Sequence, residues 1–255
     1  MLDKIMEYKT DIAIYLVSFQ RPNLIKNCLA SIFNQTILKT NVKVKLYILD
    51  NSQGIAREPT RNYLSSIKSP IVKLFFEDTY MYYGDAISKL MLELSDRDEK
   101  YSMIYADDYV MHPQKLEYLY KYMEKYPDVS CVSGKMKVEG GPIYGDCESV
   151  VNASFKISIY QILQKREIID KVGKWKVVRN DEGPWFPDGW FSNEVYLLGY
   201  RPVYAFRTLQ KEFNLSDNCF FDTTLDRVHN QGIKGRWRRI IEAIKSGKPD
   251  EQLYE

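Results

Sequence analysis

The sequence predicts an α/β fold, with a mostly parallel central sheet flanked by helices in a single domain that carries a C-terminal extension. Apolar runs typical of buried strands alternate with segments of helical periodicity between residues 11 and 112. Polar residues follow the first, second and fourth of these runs, where the carboxyl ends of parallel strands are expected. A chain of 255 residues that is 45% hydrophobic can bury the core of such a domain.

Periodicity predicts the elements in chain order. The first strand covers residues 11–17, and a helix follows from Pro22, a residue that favours the first helical turn. Further strands are predicted at 42–49, 71–76, 102–106, 129–136, 155–163 and 201–206, and helices at 58–68, 84–94, 113–126, 166–171 and 194–198. The sequence contains neither a Gly-rich dinucleotide fingerprint nor a Gly-rich phosphate loop ending in Lys-Ser/Thr. Any phosphates that the chain binds must therefore be neutralised by other means.

Asp107 and Asp108 follow the apolar run that ends at Ala106, so we expect them in a turn at the carboxyl end of a buried strand. Two neighbouring ionised carboxylates repel each other unless a cation lies between them, and a hard divalent cation is the usual partner. A cation held by Asp108 would neutralise bound phosphates. The alternative is a plain strand-to-helix turn in which one Asp caps the next helix.

Composition narrows the function classes. The 36 basic and 34 acidic residues leave a net charge of +2, which argues against a nucleic-acid partner. No apolar stretch approaches the roughly 20 residues of a membrane span, and the first nine residues lack the apolar core of a signal peptide. The cysteines are far apart in sequence, which favours structural thiols over zinc ligands or disulfides. A cytoplasmic location is predicted.

The order and spacing of these motifs resemble the family 2 nucleotide-sugar glycosyltransferases of the GT-A fold, a Rossmann-like fold, over roughly residues 11–210. The stretch Ser18-Phe19-Gln20-Arg21-Pro22 is similar to the family's first loop, which lines the nucleotide. In the family, the carboxylate at the position of Asp50 accepts a hydrogen bond from the base, and Lys89 stands where an arginine lies near the diphosphate. The resemblance implies nucleotide contacts from Ser18, Phe19, Arg21, Asp50, Lys89 and Asp107, and metal binding by Asp108.

The resemblance also implies residues for the chemical step. Asp188 stands eleven residues before Gly199, the spacing of the family's acidic motif whose Asp is the general base. A proline precedes Asp188 where the family usually has Glu. The fallback carboxylates are Asp181 and Glu182, and the flanking Trp185 and Trp190 either stack on the acceptor sugar or pack in the core.

The two histidines are interpreted differently. His229 is a predicted metal ligand, because GT-A enzymes often supply a histidine from the C-terminal region; a surface or capping histidine is the alternative. His112 is interpreted as structural.

We therefore expect a non-processive, inverting glycosyltransferase that depends on Mn²⁺ or Mg²⁺ and takes a nucleotide-sugar donor, with a UDP-sugar as the expected one. Residues 1–210 would form the GT-A domain, with a nucleotide-binding half at 11–112 and an acceptor-binding half at 113–210, and residues 211–255 the extension. The acceptor would be a glycan, a lipid-linked glycan or a protein. The alternatives are a nucleotidyltransferase and a non-catalytic carbohydrate-binding or scaffold protein on a transferase fold.

The segment 234–245 is basic and amphipathic. It predicts either a helix that contacts an anionic membrane surface or, as the favoured interpretation, a solvated terminal helix.

Overall fold

The computed structural model describes residues 8–138, 143–144, 148–150, 162–174, 179–180, 183–184, 194–200, 202–216 and 218–224. The strands are β1 Thr10–Ser18, β2 Val44–Asp50, β3 Val72–Phe76, β4 Glu99–Ala106, β5 Tyr109–Met111, β6 Cys131–Ser133, β7 Met136–Val138, β8 Ile143–Tyr144, β9 Glu148–Val150, β10 Leu163–Lys165, β11 Arg179–Asn180, β12 Gly183–Pro184, β13 Pro202–Ala205 and β14 Asp222–Thr224. The helices are α1 Pro22–Phe33, α2 Arg57–Ser66, α3 Tyr83–Lys89, α4 Lys115–Lys125, α5 Arg166–Val172 and α6 Phe206–Phe213.

The main sheet confirms the predicted mostly parallel arrangement. In the described part of the chain its strand order is β3-β2-β1-β4-β10-β6-β13-β9. The pairs β3–β2, β2–β1, β1–β4 and β6–β13 are parallel, whereas β10 and β9 run antiparallel to their neighbours. The first four strands lie within about three residues of their predicted bounds, since long apolar runs are the most readable signal in a sequence.

Both faces of β1 are covered, which explains its continuous apolar sequence. Ile12, Ile14 and Leu16 face one hydrophobic core with helix α1, while Ala13, Tyr15 and Val17 face a second core with α3. The register then aligns the strand ends, because Ser18 lies opposite Asp50 and Val17 lies opposite Ala106. The loops that follow β1, β2 and β4 consequently leave the sheet at the same edge.

The prediction of one strand at residues 129–136 was wrong. Cys131–Ser133 joins the main sheet, whereas Met136–Val138 joins a second sheet of order β5-β14-β7-β8. The break falls at Gly134, where an added Cβ would lie 2.2 Å from the ring of Phe221. Only a glycine lets that ring pack against the backbone here, at the point where the chain passes from one sheet to the other.

Three further predicted boundaries differ from the structure. Most of the strand expected at 155–163 lies outside the described ranges, which omit residues 151–161. Its last residue, Leu163, begins the observed strand Leu163–Lys165. Phe206, predicted as the end of a strand, begins α6, with its ring buried in the core. The helix expected from Pro113 begins at Lys115, because residues 113–114 form a turn in which the N–H of Lys115 donates to the carbonyl oxygen of His112 at 3.0 Å.

Two buried ion pairs connect elements that are distant in sequence. Arg166 Nη1 donates to Glu99 Oε1 at 2.7 Å, and the hydroxyl of Tyr15 donates to the same oxygen at 2.6 Å. Lys115 Nζ pairs with Asp222, which also accepts a hydrogen bond from the hydroxyl of Tyr105 at 2.8 Å. The first pair joins α5 to the start of β4, and the second holds β14 against α4.

The described residues contain no helix with the length and apolarity needed to cross a bilayer. Strand β14 lies beyond residue 210 but pairs with β5 and β7 of the preceding region. The division of the chain at residue 210 stays a prediction.

Candidate active site

The acidic turn after β4 lies at the edge where the parallel strands end. Asp107 and Asp108 are 6% and 2% exposed, and both contact the loop that follows β1. The backbone N–H of Phe19 donates to Asp107 Oδ2 at 3.1 Å. Nη1 of Arg21 lies 3.2 Å from Asp107 Oδ1 and 2.9 Å from Asp108 Oδ2. The structure thus brings together four of the predicted site residues: Phe19, Arg21, Asp107 and Asp108.

The loop between β1 and α1 is held in a defined shape. Gln20 adopts a left-handed backbone conformation with φ of 58°, which is uncommon for a residue with a side chain. Its N–H donates to Ser52 Oγ at 3.1 Å, and its Oε1 accepts from the N–H of Gln53 at 3.0 Å. These bonds tie the first loop to the loop after β2 and so position Phe19 and Arg21.

Asp50, the predicted base-binding carboxylate, is fully buried at the end of β2. Its Oδ1 accepts from the hydroxyl of Ser52 at 2.7 Å, and its Oδ2 accepts from Nε of Arg61 at 3.2 Å. Burial raises the pKa of Asp50, and the hydrogen bonds from Ser52 and Arg61 offset part of that rise. Both oxygens are thus already engaged within the protein, so a base would have to share one of them.

Ser18 lies directly opposite Asp50 in the parallel pair and is also fully buried. Among the described residues its hydroxyl oxygen has no hydrogen-bond partner. A buried polar atom without a partner is costly, and such atoms often mark a position where a ligand or water binds. The hydroxyl of Ser18 is therefore a candidate donor or acceptor for a ligand or water at this edge.

Lys89 lies at the end of α3 and pairs with Glu77, the residue that follows β3. The hydrogen bond from Lys89 holds the pKa of Glu77 below its usual range. The N–H of Glu77 donates to the carbonyl oxygen of Asp50 at 2.9 Å, so this ion pair borders the Asp50 side of the site.

Sequence reasoning missed several residues that shape the site. Asn51 exchanges hydrogen bonds with the backbone of Met81, which pins the loop before α3. In that loop the ring of Tyr80 lies 5.7 Å from the ring of Phe19 and 5.3 Å from that of Tyr82. The run of tyrosines just before Gly84 could have predicted this aromatic group. Arg61 lies within a helix, and no pattern in the sequence predicts its contact with Asp50.

Several predicted residues lie outside the described ranges, so their prediction stays untested: Asp181, Glu182, Trp185, Asp188, Trp190 and His229. The nearest described residue before His229 is Thr224, at the end of β14. It pairs with Tyr109, the residue after Asp108. His112 is half-buried, stacks on Phe221 and accepts a hydrogen bond from the N–H of Gln114, as expected of a structural histidine.

The described residues contain no cluster of three or more His, Cys, Asp or Glu side chains that could hold a metal ion. The acidic turn by itself still fits a cation. Its two buried carboxylates already hold the positive guanidinium of Arg21, and carboxylate oxygens are the ligands that Mg²⁺ and Mn²⁺ prefer.

Comparison with known proteins adds a family and a fold. The model of "Glycosyl transferase family 2" matches residues 13–182. No curated protein matches the chain. Among solved structures, S. aureus TarS 1-349 in complex with UDP-GlcNAc is 12% identical with a TM-score of 0.64, covering 86% of this chain and 59% of that one.

A second solved structure is a mannosyltransferase, PcManGT from Pyrobaculum calidifontis, in complex with GDP-Man and Mn²⁺. It is 15% identical with a TM-score of 0.62, and the match covers 98% of this chain and 70% of that one. A further TarS structure, at 12% identity and a TM-score of 0.59, is matched over 92% of this chain but only 40% of its own length. This chain thus spans about half the length of these TarS structures, and the likeness shows a shared fold.

Proposed function

The chain belongs to glycosyl transferase family 2, and we propose that it transfers a sugar from a nucleotide-sugar donor to an acceptor hydroxyl. The observation that carries the proposal is the buried acidic turn of Asp107 and Asp108, held against the first loop by Arg21. This turn lies at the carboxyl edge of a parallel sheet, where ligands of open α/β folds bind. It falls within the part of the chain that the family model matches.

We propose that the nucleotide lies along this edge. Asp107 would bind the ribose, while Asp50, held by Ser52 and Arg61, would share a lone pair with the base. Ser18 offers an unpaired hydroxyl beside Asp50, and Lys89, whose side chain is 34% exposed, could turn from Glu77 toward the diphosphate. The rings of Phe19 and Tyr80 offer a surface on which a base can stack.

Asp108 is the proposed metal ligand, with His229 as a second one. The register of β14 supports this pairing, because Thr224, five residues before His229 in the sequence, pairs with Tyr109 beside the acidic turn. When bound, Mn²⁺ or Mg²⁺ supplies Lewis-acid stabilisation of the negative charge on the nucleoside-diphosphate leaving group. PcManGT, which has a similar fold, was solved in complex with GDP-Man and Mn²⁺, and this supports a divalent cation here.

We propose Asp188 as the general base that takes the proton from the attacking acceptor hydroxyl. A single displacement by that hydroxyl inverts the anomeric centre. A UDP-sugar is the proposed donor, and UDP-GlcNAc in a structure of TarS supports a uridine nucleotide. The acceptor is proposed to be a hydroxyl of a glycan, a lipid-linked glycan or a protein. Cytoplasmic location and membrane contact by segment 234–245 stay predictions.

Isothermal titration tests this proposal. UDP, GDP and dTDP are titrated with and without Mn²⁺ into the wild type, Asp108→Ala and Asp98→Ala. Asp98 is a matched control, because it is a partly buried carboxylate paired with Lys45 at the opposite end of β4. We expect one nucleotide to bind with Mn²⁺, and Asp108→Ala to weaken that binding by at least about 100-fold while Asp98→Ala retains it. If no nucleotide binds the wild type, the transferase proposal fails and a scaffold function takes its place.

A further inference from the structure

We propose that Arg21 is a resident counter-ion of the acidic turn, which leaves Asp108 when metal and nucleotide bind and then contacts the diphosphate. This proposal rests on the proposed function and adds a coupling between the two ligands. The metal would bind weakly while Arg21 stays in place, and tightly once a nucleotide gives Arg21 a new partner.

The contacts of Arg21 create the competition. One nitrogen, Nη1, lies 3.2 Å from Asp107 Oδ1 and 2.9 Å from Asp108 Oδ2. A divalent cation on Asp108 Oδ2 would share that oxygen with the guanidinium and lie within a few ångströms of a like charge. The side chains of Arg21 and Asp108 are 14% and 2% exposed, so solvent screens this repulsion weakly. The cation and the guanidinium therefore compete for the same carboxylate oxygen.

The local structure lets the side chain of Arg21 move without the backbone. Arg21 is the residue before α1, and its carbonyl oxygen accepts from the N–H of Ile25 at 3.1 Å, which fixes the main chain. Its side chain forms no capping bond to the helix. Asp107 keeps the hydrogen bond from the N–H of Phe19 after the guanidinium leaves. The main chain of Arg21 is thus held independently of its guanidinium, and the exchange that we propose is a change of side-chain rotamer.

A diphosphate is a chemically suitable destination. The planar guanidinium presents several N–H donors that match the spacing of phosphate oxygens, and such pairs are among the strongest hydrogen bonds in proteins. The nucleotide also brings negative charge that compensates the added cation. By linkage, whatever factor the nucleotide adds to metal affinity, the metal adds to nucleotide affinity.

The test measures how tightly the protein binds Mn²⁺. The electron paramagnetic resonance signal reports the free ion, and the Mn²⁺ that nucleotide binds in solution is subtracted. Titrations are made with and without the nucleotide that binds in calorimetry, or with UDP if none does. The proteins are the wild type, Arg21→Gln, Arg21→Lys and Arg97→Gln. Arg97 pairs with Asp170 on the surface, so Arg97→Gln matches the charge change of Arg21→Gln at a different place.

We expect nucleotide to raise the Mn²⁺ affinity of the wild type by about 10-fold or more. Arg21→Gln should bind Mn²⁺ alone about 10-fold more tightly than the wild type and gain less from nucleotide. Arg21→Lys, which keeps a positive charge, and Arg97→Gln should both bind Mn²⁺ alone within about 3-fold of the wild type. Thermal melts check that each variant is folded.

Two outcomes would overturn the proposal in different ways. If Arg21→Gln binds Mn²⁺ no more tightly than the wild type while nucleotide still binds, the exchange is wrong and the proposed function stands. If neither Mn²⁺ nor nucleotide binds any of the folded proteins, the proposed function fails and the exchange fails with it.

Discussion

The two ends of the parallel strands each carry a pair of aspartates, and the pairs are arranged differently. At the amino end, Asp96 and Asp98 contact Lys45, and Asp96 also contacts Lys73 at 2.6 Å. All of these side chains are partly exposed. At the carboxyl end, Asp107 and Asp108 are buried and share the guanidinium of Arg21.

The difference separates a solvated surface network from the proposed binding site. Exposed carboxylates that contact lysines are solvated and each contribute little to stability. Adjacent buried carboxylates that share one nitrogen repel each other, and desolvation adds to the cost. An arrangement that does not favour stability is typical of a site kept for binding or catalysis.

The largest expected effect is on activity. Asp108→Asn should lower the rate of donor turnover by about 100- to 1000-fold, because it would remove the charge that is proposed to hold the cation at the leaving group. Asp98→Asn, at the other end of β4, should stay within about 2-fold of the wild type because its pair with Lys45 is partly exposed. Initial rates of donor hydrolysis measure both. An equal loss in the two variants would contradict the distinction between the edges.

The Asp108→Asn variant also tests the comparison through its effect on stability. Asp108→Asn should melt at or above the wild-type temperature, since it relieves repulsion between neighbouring carboxylates. A clear fall in melting temperature would mean that Asp108 stabilises the fold.

The second effect is on stability and comes from the buried pair at the amino end of β4. Arg166→Met should lower the free energy of unfolding by about 3–5 kcal/mol, because Glu99 would be left as a buried charge without its partner. Urea unfolding measures the loss. The double variant Arg166→Met with Glu99→Met should recover part of it. If the double variant is no more stable than Arg166→Met, the cost comes from packing rather than from charge.

The smallest effect concerns pH at the exposed amino end. Hydrogen bonds from Lys45 and Lys73 hold the pKa of Asp96 well below its usual range. The lowered pKa in the folded state adds stability above the unfolded value of about 3.9, and this stability is lost as pH falls below it. Asp96→Asn should therefore flatten the fall in stability below about pH 4 and cost at most about 1 kcal/mol at pH 7.

Melting temperatures between pH 3 and 7 test this last prediction. About 1 M salt should reduce the difference between Asp96→Asn and the wild type, because exposed charges are screened. A loss that is unchanged by salt and pH would contradict the electrostatic account.

Much of the geometry at the carboxyl edge of the parallel strands followed from local patterns. The apolar runs of β1, β2 and β4 predicted a parallel sheet, and a parallel sheet brings Ser18, Asp50 and Asp107 to one edge. Pro22 predicted the start of α1 and with it the short loop that carries Arg21. These predictions succeeded because strand and helix periodicity are local properties that burial on both faces reinforces.

Other features depended on contacts between distant segments. The antiparallel strand β10 between β4 and β6, and the division of residues 131–138 between two sheets, have no local signature. The pairing of Lys115 with Asp222 joins residues 107 positions apart, and a charged residue in a sequence gives no sign that it will be buried.

The sequence by itself determined the alternation of strands and helices, the edge where polar residues meet and the acidic turn at that edge. Periodicity and turn chemistry act over a few residues, so a single sequence reveals them. Only the tertiary structure decided that Arg21 bridges the two aspartates of the acidic turn. The same holds for the hydrogen bonds from Arg61 and Ser52 to the carboxylate of Asp50. Those contacts depend on strand register and on loops that fold against one another, and they set which charges a ligand must displace.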